Sequence, residues 1–397
     1  MKSIIKLNII KALLFGMVCL ASLSCTGQQF SLYSDFPGGN IRVEKINQDT
    51  VWIRPDLRDT NGEWFYWYFA VNNAKGKTLT FVLTKPNCLT SKGPAISTDG
   101  GKYWSWINPD HSWDSSFSYT FKTNSEVRFS MGMPYTQKHF QQFIGTYLKS
   151  EFVTIDTLAT TKAGRSVERV ILKSKSGTVK YKVLITTRHH ACEMMGNYEM
   201  EGIISEILKD EWLKNNIEFC LIPFMDKDGV ENGDQGKNRI PHDHNRDYDG
   251  TSIYASVSAL RRWVPGWSEN KLVVTVDLHC PWIKAENNEN IYVVGSSDEK
   301  IAAQQQLFLS ILKSTNNGEL KISEKSYFPY GKDWNTAEKA TPGLSFGKWS
   351  SQLEGVKLPI SIEFPYSNNE GQTITQDNAR DFGADLARAI KKYMMQL

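Results

Sequence analysis

Two patterns of hydrophobic and polar positions divide the chain near residue 134. Between residues 28 and 134, short apolar and aromatic stretches are separated by turn-forming clusters such as PGGN (37–40) and STDGG (97–101). Short apolar stretches bounded by Gly, Pro, Asn and Asp are typical of strands joined by tight turns. We therefore predict an antiparallel β-sandwich domain over residues 28–134.

The stretch GEWFYWYFAVNN (62–73) has the densest aromatic content of this part. If it forms a strand, its alternation places three aromatic side chains on each face, and such a strand is covered on both sides. A sugar-binding surface is the alternative, but large aromatic side chains favour packing in a core. The two sets are Trp64, Tyr66 and Tyr68, and Phe65, Trp67 and Phe69.

After residue 134 the pattern changes to alternating helices and strands. TQKHFQQFIGTYLKS has an apolar helical face and Thr136 as its N-cap. Strands are predicted at RVILKS, YKVLITT, IEFCLIPF, KLVVTVDLH and LPISIEF, and helices near 194–209, 252–263, 300–313 and 377–396. This alternation predicts an α/β domain over residues 135–397, with a mixed, largely parallel sheet covered by helices. Ligands of such sheets bind at the carboxyl ends of the strands.

The first 25 residues have the pattern of a bacterial secretory signal. Lysines precede an apolar run at residues 12–20, and small residues follow it. The apolar run is too short to span a bilayer, so we predict no transmembrane span. The protein is then exported to the periplasm or cell envelope. Lipidation at Cys25 would anchor it to the membrane, although Ser22 stands where such signals usually carry leucine, and ordinary cleavage remains open.

The composition is that of an ordinary globular protein, with 40% hydrophobic and 22% charged residues among 397. The net charge is only +3, and the chain carries no long basic run. Nucleic-acid-binding proteins concentrate positive charge in patches, so no nucleic-acid partner is predicted.

Polar residues follow three of the predicted strands where each strand ends. His190 and Glu193 come after YKVLITT, His279 ends KLVVTVDLH, and Glu363 lies near the end of LPISIEF. Two histidines and a carboxylate are a common ligand set for catalytic zinc, with one position left for water. A further carboxylate beside that water can act as a general base. Each cluster taken alone is weak evidence for a metal site. Their placement together at the strand ends of one domain predicts a site for one zinc ion.

The motifs TRHHACE, DKDGVENG…DHNRDY, VDLH and ISIEFPYS occur in this order. Together they resemble the zinc metallocarboxypeptidases of the carboxypeptidase A type, over residues 135–397. The aromatic domain before them resembles the N-terminal β-sandwich of the cytosolic carboxypeptidase branch. The resemblance implies a zinc-dependent enzyme that hydrolyses the C-terminal residue of peptides or proteins.

The resemblance also implies roles for individual residues. His190, Glu193 and His279 match the zinc ligands, and Asp243 matches the aspartate that orients the first histidine. Glu363 matches the glutamate that activates the zinc-bound water and passes its proton to the leaving amine.

Recognition of the substrate is implied by the second motif. Asn245 and Arg246 match the pair that holds the terminal carboxylate, which a planar guanidinium can bind through two parallel hydrogen bonds. Arg239 is our candidate for polarising the scissile carbonyl, with Lys237 behind it.

Several positions stay open. His189 is predicted to point away from the metal or to contact a ligand. Cys192 and Cys280 each neighbour a zinc ligand, so a disulfide between them is one hypothesis and two buried thiols the other. Tyr330 and Tyr366 are both candidates for the mobile tyrosine of the family.

Two other functions remain to be distinguished from a carboxypeptidase. One is an amidohydrolase of the aspartoacylase type, which acts on N-acyl amino acids; the Asn-Arg pair fits it, and the aromatic N-terminal domain fits it less well. The other is a non-catalytic envelope protein that binds a glycan or peptide. The presence of His190, Glu193, His279 and Glu363 together argues against this second function.

Overall fold

A computed structural model describes residues 30–107, 112–113, 115–174, 177, 179–285 and 287–397. The predicted signal segment and Cys25 lie outside the described residues. Within them, no helix is both long and apolar enough to cross a membrane. The helices are α1 (Gln137–Gly145), α2 (Met195–Lys209), α3 (Glu211–Asn216), α4 (Lys227–Asn232), α5 (Ala255–Ser268), α6 (Glu299–Thr315), α7 (Phe346–Ser350) and α8 (Gln376–Met394).

The strands of the described part of the chain fall into three larger sheets and one hairpin. The first ten are β1 (Ser31–Tyr33), β2 (Arg42–Asn47), β3 (Thr50–Arg54), β4 (Tyr68–Asn72), β5 (Thr78–Leu83), β6 (Ala95–Ser97), β7 (Ser105–Trp106), β8 (Ser112–Trp113), β9 (Ser116–Thr120) and β10 (Val127–Ser130). The remaining ten are β11 (Val153–Thr160), β12 (Ser166–Leu172), β13 (Tyr181–Thr187), β14 (Ile217–Ile222), β15 (Leu272–His279), β16 (Tyr292–Val294), β17 (Tyr327–Phe328), β18 (Leu358–Glu363), β19 (Asn368–Asn369) and β20 (Gln372–Thr373).

The N-terminal part forms a sandwich of two five-stranded sheets, in the orders β1-β4-β10-β6-β7 and β2-β3-β5-β9-β8. Among the strand pairs that the structure describes here, all are antiparallel except β3 with β5. Phe69 and Phe129 of the first sheet pack on Phe81 and Phe117 of the second, with ring centroids 5.0–5.5 Å apart. These four rings are fully buried, so their role is core packing, as predicted.

The aromatic stretch differs from its prediction in one respect. The strand begins only at Tyr68, and residues 63–67 are irregular although Phe65, Tyr66 and Trp67 are buried. The backbone of Tyr66 pairs with the side chain of Gln235 instead of with a strand: its N–H donates to Oε1 and its carbonyl accepts from Nε2, both at 2.8 Å. This contact between distant segments overrides the local alternation.

The C-terminal part is built on an eight-stranded mixed sheet in the order β11-β12-β14-β13-β15-β18-β16-β17. Its four central strands, β14, β13, β15 and β18, are parallel. The five strands and four helices predicted from the sequence are all present, and Thr136 is the N-cap of α1. The predicted α/β class is therefore confirmed.

Helices cover both faces of this sheet. Leu184 of β13 packs in one apolar cluster with Leu260 of α5 and Phe346 of α7. Its neighbour Ile185 points to the other face, into a cluster that includes Ile203 of α2 and residues of α6 and α8. A sheet closed on both faces leaves the carboxyl ends of its parallel strands as the edge where polar side chains can meet.

Candidate active site

The three polar clusters predicted from the sequence meet at the carboxyl ends of neighbouring parallel strands. β13 ends at Thr187 and leads into the turn with His190 and Glu193, while His279 is the last residue of β15. Glu363 is the last residue of β18 and is directly opposite His279 in the strand register. The strand order therefore brings these four side chains to one place.

His190, Glu193 and His279 form a compact group. His190 Nδ1 lies 2.9 Å from one carboxylate oxygen of Glu193, and His279 Nδ1 lies 2.7 Å from the other. The donor atoms of the three residues lie within 4.8 Å of one another, and all three residues are buried. Two imidazole nitrogens and a carboxylate that converge in this way fit the ligand set of a zinc ion.

Each histidine of this group has a carboxylate near its other ring nitrogen. Asp243, as the resemblance implied, lies 3.6 Å from His190 Nε2. Asp277 Oδ2 lies 2.7 Å from His279 Nε2 and fixes its orientation, with Nδ1 turned toward Glu193. Sequence reasoning missed Asp277, although its position two residues before His279 places both side chains on one face of β15.

His189 points away from His190 and contacts Asp277. Its Nδ1 lies 2.8 Å from Asp277 Oδ1, and its Nε2 lies 2.7 Å from the hydroxyl of Tyr248. Complete burial lowers the pKa of His189, so the ring is neutral at pH 7. The neutral ring donates from Nδ1 to Asp277 and accepts at Nε2 from Tyr248. His189 therefore holds the carboxylate that orients His279.

Glu363 faces the same space from the neighbouring strand. Burial raises the pKa of Glu363 to about 7; the charge of Glu193 adds to this, while His279 and Lys237 oppose it. Glu363 Oε2 is buried and has no hydrogen-bond partner among the described residues. A divalent cation held by His190, Glu193 and His279 would favour the ionised carboxylate, as a general base requires.

Asn245 and Arg246 lie in a short 3₁₀ helix, His244–Arg246, whose N-cap is Asp243. Both line a cavity of about 730 Å³ that also reaches His190, His279 and Glu363. The side-chain oxygen of Asn245 accepts from the N–H of Phe346 at 2.9 Å, which leaves its Nδ2 on the side of His279, 3.3 Å from Nε2. The structure thus brings the predicted carboxylate-binding pair to the predicted metal site.

Arg239 is not placed for the role that the resemblance suggested. Its guanidinium is held by three carboxylates: Asp59 at 2.9 Å, Asp226 at 2.6 Å and Asp234 at 3.2 Å. Among the described residues, the cavity lining includes Lys237 but not Arg239. A guanidinium paired with three carboxylates is not free to contact a substrate carbonyl. Of the two cations in this segment, Lys237 is the one that lines the cavity.

Lys237 contacts the candidate metal site directly. Its Nζ lies 2.6 Å from Glu193 Oε1 and 5.2 Å from the ring centroid of Trp64. Burial acts to lower the pKa of Lys237, but the charges of Glu193 and Glu363 outweigh it and raise the pKa. The ammonium is therefore charged at neutral pH and lies beside Glu193.

The cavity has a cationic and aromatic lining. Among the described residues that line it, Glu363 is the only carboxylate, and four are cations: Lys237, Arg246, Lys339 and Lys348. Its aromatic lining comprises Trp64, Trp282, Tyr292, Tyr330 and Trp334. This excess of positive charge favours an anionic ligand.

The structure also places the two cysteines and the two candidate tyrosines whose roles the sequence left undecided. Cys192 and Cys280 are buried free thiols, so the disulfide hypothesis is not supported. Tyr366 is 1% exposed and its hydroxyl faces Cys192 at 4.0 Å, whereas Tyr330 is 44% exposed and lines the cavity. Tyr330 is the better placed of the two candidate tyrosines, because it can reach the cavity.

Comparison with known proteins adds independent findings. The sequence model of the zinc carboxypeptidases matches residues 146–278. Cytosolic carboxypeptidase 6 of Caenorhabditis elegans is 26% identical over 281 residues, which cover 62% of this chain and 61% of the nematode protein. Cytosolic carboxypeptidase 3 of Mus musculus is 25% identical over 317 residues, which cover 69% of this chain and 31% of the mouse protein.

A similar fold is found among solved structures. The metallo-carboxypeptidase from Burkholderia cenocepacia superposes with a TM-score of 0.75 and 19% sequence identity, over 92% of this chain and 99% of that chain. At this identity the similarity concerns the fold. By contrast, the chain spans less than two thirds of the length of the nematode and mouse relatives.

Proposed function

We propose that this chain is a zinc-dependent carboxypeptidase that removes the C-terminal residue of peptides or proteins. Its match to the zinc carboxypeptidase model over residues 146–278 and its similarity to cytosolic carboxypeptidases support the proposal. One observation carries the proposal: the two histidines of the metal-ligand group, the carboxylate of Glu363 and the Asn245-Arg246 pair line one cavity. A metal group alone would fit many hydrolases. The cations that line the same cavity, Arg246 among them, can bind the free carboxylate of a peptide C-terminus.

The chemistry divides among residues of this chain. His190, Glu193 and His279 would hold the zinc ion, which when bound acts as a Lewis acid on the carbonyl and on the attacking water. Glu363 takes the proton that the water loses as its oxygen attacks the carbonyl carbon. The same carboxyl group then gives that proton to the leaving nitrogen as the C–N bond breaks.

Lys237 is proposed as the group that stabilises the carbonyl oxygen when negative charge develops on it. The ammonium lies beside Glu193 and faces the cavity, where it would contact this oxygen. Trp64 packs over it and limits its movement. A fixed charge in a site with little water stabilises a transition state more than a mobile one does.

Replacing Lys237 with methionine is expected to lower kcat by about 100- to 1000-fold, because removing one donor to a developing oxyanion has this effect in other enzymes. KM and bound zinc should change little. Steady-state kinetics and metal analysis of K237M measure both. K237R keeps the charge and should recover part of the loss; a K237M variant with wild-type kcat would remove Lys237 from the mechanism.

Replacing Arg246 with methionine is expected to lower kcat/KM for peptides with a free terminal carboxylate by about 100-fold, because a charged hydrogen bond to the substrate is lost. Peptides with an amidated C-terminus should be affected far less. The matched control is R261M, since Arg261 binds the backbone of Asp249 and Gly250. Equal losses on free and amidated peptides would contradict the proposed role.

The overall activity is tested with the zinc-loaded protein and peptides that differ only in their last residue, including D-amino acids. A carboxypeptidase releases single free amino acids, and a chelator stops the release. An aspartoacylase-type amidohydrolase would cleave N-acyl amino acids in preference, and a binding protein would release nothing. Either result would contradict the proposal.

We also propose that the enzyme acts in the bacterial cell envelope. The pattern of residues 1–25 supports export, and Cys25 is the candidate for a lipid anchor. Mass spectrometry of the mature N-terminus after expression in a bacterium tests this. A chain that retains residues 1–25 in the cytoplasm would refute it.

A further inference from the structure

The segment that carries Lys237 lies between the two parts of the molecule. We call residues 234–239 the bridging loop. On one side it touches the turn that holds the metal ligands: the N–H of Cys192 donates to the carbonyl of Gln235 at 3.1 Å. Gly236 has φ +77° and packs so closely on Ala191 that a Cβ would lie 2.1 Å from its backbone nitrogen. The loop therefore has little freedom on this side.

On its other side the bridging loop is held by Asp59 of the N-terminal sandwich. Asp59 Oδ1 accepts from the N–H of Gln235 at 3.1 Å, and Oδ2 accepts from the N–H of Gly236 at 2.9 Å. Oδ2 also accepts from Nε of Arg239 at 2.9 Å. One partly buried carboxylate thus binds two consecutive amides and a guanidinium on either side of Lys237.

Further contacts with the N-terminal sandwich add to this arrangement. The side chain of Gln235 makes both of its hydrogen bonds with the backbone of Tyr66, and Trp64 covers Lys237. Arg239 is fixed on its far side by Asp226 and Asp234 of the C-terminal part. The two ends of the loop are therefore anchored, and Lys237 between them is aimed at Glu193.

We propose that Asp59 is a positioning residue of the active site, and that the N-terminal sandwich completes the site by holding the bridging loop so that Lys237 faces the reacting carbonyl. This inference rests on the proposed carboxypeptidase function. It assigns to the N-terminal domain a part in catalysis rather than a separate binding role. Charged hydrogen bonds to consecutive amides are among the stronger contacts available for this purpose.

Hydrogen exchange measured by mass spectrometry tests the positioning without substrate or metal. In D59N the amides of Gln235 and Gly236 lose an ionised acceptor, so the peptide containing them should exchange at least about tenfold faster, while peptides of the sandwich core keep their rates. The matched control is D56N. Asp56 contacts Arg42 and Arg58 of the N-terminal part, and its replacement should leave the loop unchanged. An unchanged exchange rate in D59N would overturn the proposal.

A double-mutant cycle tests the link to catalysis. D59N should lower kcat by about tenfold or more in the zinc-loaded protein, with bound zinc unchanged; in the K237M background it should change kcat less than about twofold. Equal losses in both backgrounds would show that Asp59 acts on something other than Lys237 and would overturn the proposal. If D59N folds poorly, D59E keeps the charge while moving it by one methylene and serves in the same two measurements. Inactive wild-type protein would contradict the carboxypeptidase function instead, and the exchange experiment would still decide the positioning.

Discussion

Replacing Glu363 with glutamine is expected to lower kcat by about 10³-fold or more while the protein still binds one zinc ion. The amide has nearly the shape of the carboxylate but cannot accept the proton of the attacking water, and general base catalysis contributes effects of about 10²- to 10⁴-fold. Bound metal should be retained because Glu363 is outside the group formed by His190, Glu193 and His279. Metal analysis combined with steady-state kinetics on one peptide substrate measures both properties.

The chain offers a matched control for this substitution. Glu199 of α2 is fully buried, and neither of its carboxylate oxygens has a hydrogen-bond partner among the described residues. Burial raises the pKa of Glu199 well above its ordinary value, with a further contribution from Glu363, and this favours the neutral form of the carboxyl group. E199Q replaces the carboxyl group with a neutral amide of similar shape at a position outside the metal-ligand group and should keep most of the activity. Near-normal hydrolysis by E363Q would remove Glu363 from the proposed mechanism.

Replacing His190 with alanine is expected to abolish stoichiometric zinc binding, and with it the activity. This removes one of the three protein ligands proposed for the zinc ion. Competition with a metal-binding dye at neutral pH measures the affinity. The thermal stabilisation that the wild-type protein gains from added zinc should disappear in H190A.

His189 provides the comparison, since the two histidines are adjacent and differ only in where they point. Loss of a residue that orients a ligand typically weakens metal binding by about 10- to 100-fold. We expect H189A to fall in this range, because Asp277 loses one partner but keeps the hydroxyl of Thr186 at 2.9 Å. H189A should therefore bind one zinc ion when zinc is in excess. Equal zinc binding by both variants would contradict the assignment of His190 as the ligand.

The N-terminal sandwich contributes to the site in a way that the sequence did not suggest. The aromatic stretch at residues 62–73 contributes Phe69 to the sandwich core. Its first residues precede the strand, and among them Trp64 lines the cavity. Trp64 stacks near Lys237 and lies 5.1 Å from Trp282 of the C-terminal part. The stretch thus serves both the sandwich core and the catalytic cavity.

The elements of the C-terminal domain were predictable because their signals are local. A strand such as YKVLITT is a continuous apolar run, and an amphipathic helix such as α8 repeats its apolar residues at helical spacing. The short strands β16 and β17 and the edge strand β11 were missed. They are too short, or too exposed, to produce a clear pattern.

The metal-ligand group could be identified from the sequence because each member has a recognisable local position in the chain. His190 and Glu193 are three residues apart on one turn, and His279 and Glu363 each end an apolar strand. Residue type, spacing and position at a strand end together indicate a metal site formed by two histidines and a carboxylate. The resemblance to a known family then supplied the roles of Asn245 and Arg246, whose placement in the cavity agrees with it.

The choice between Lys237 and Arg239 depended on contacts that no local pattern records. Both are cations in one six-residue loop, and the resemblance favoured Arg239 because the family uses an arginine to polarise the scissile carbonyl. Arg239 forms ion pairs with Asp226, Asp234 and Asp59. Asp59 lies in the N-terminal part, 177 residues before Gly236 of the same loop. Similarly, Asp277 and Tyr248 set the direction of His189. The pattern along the chain thus specifies which groups are available at the strand ends. The direction of each buried side chain is decided by its charge and hydrogen-bond partners, and these come from distant segments that meet only in the folded protein.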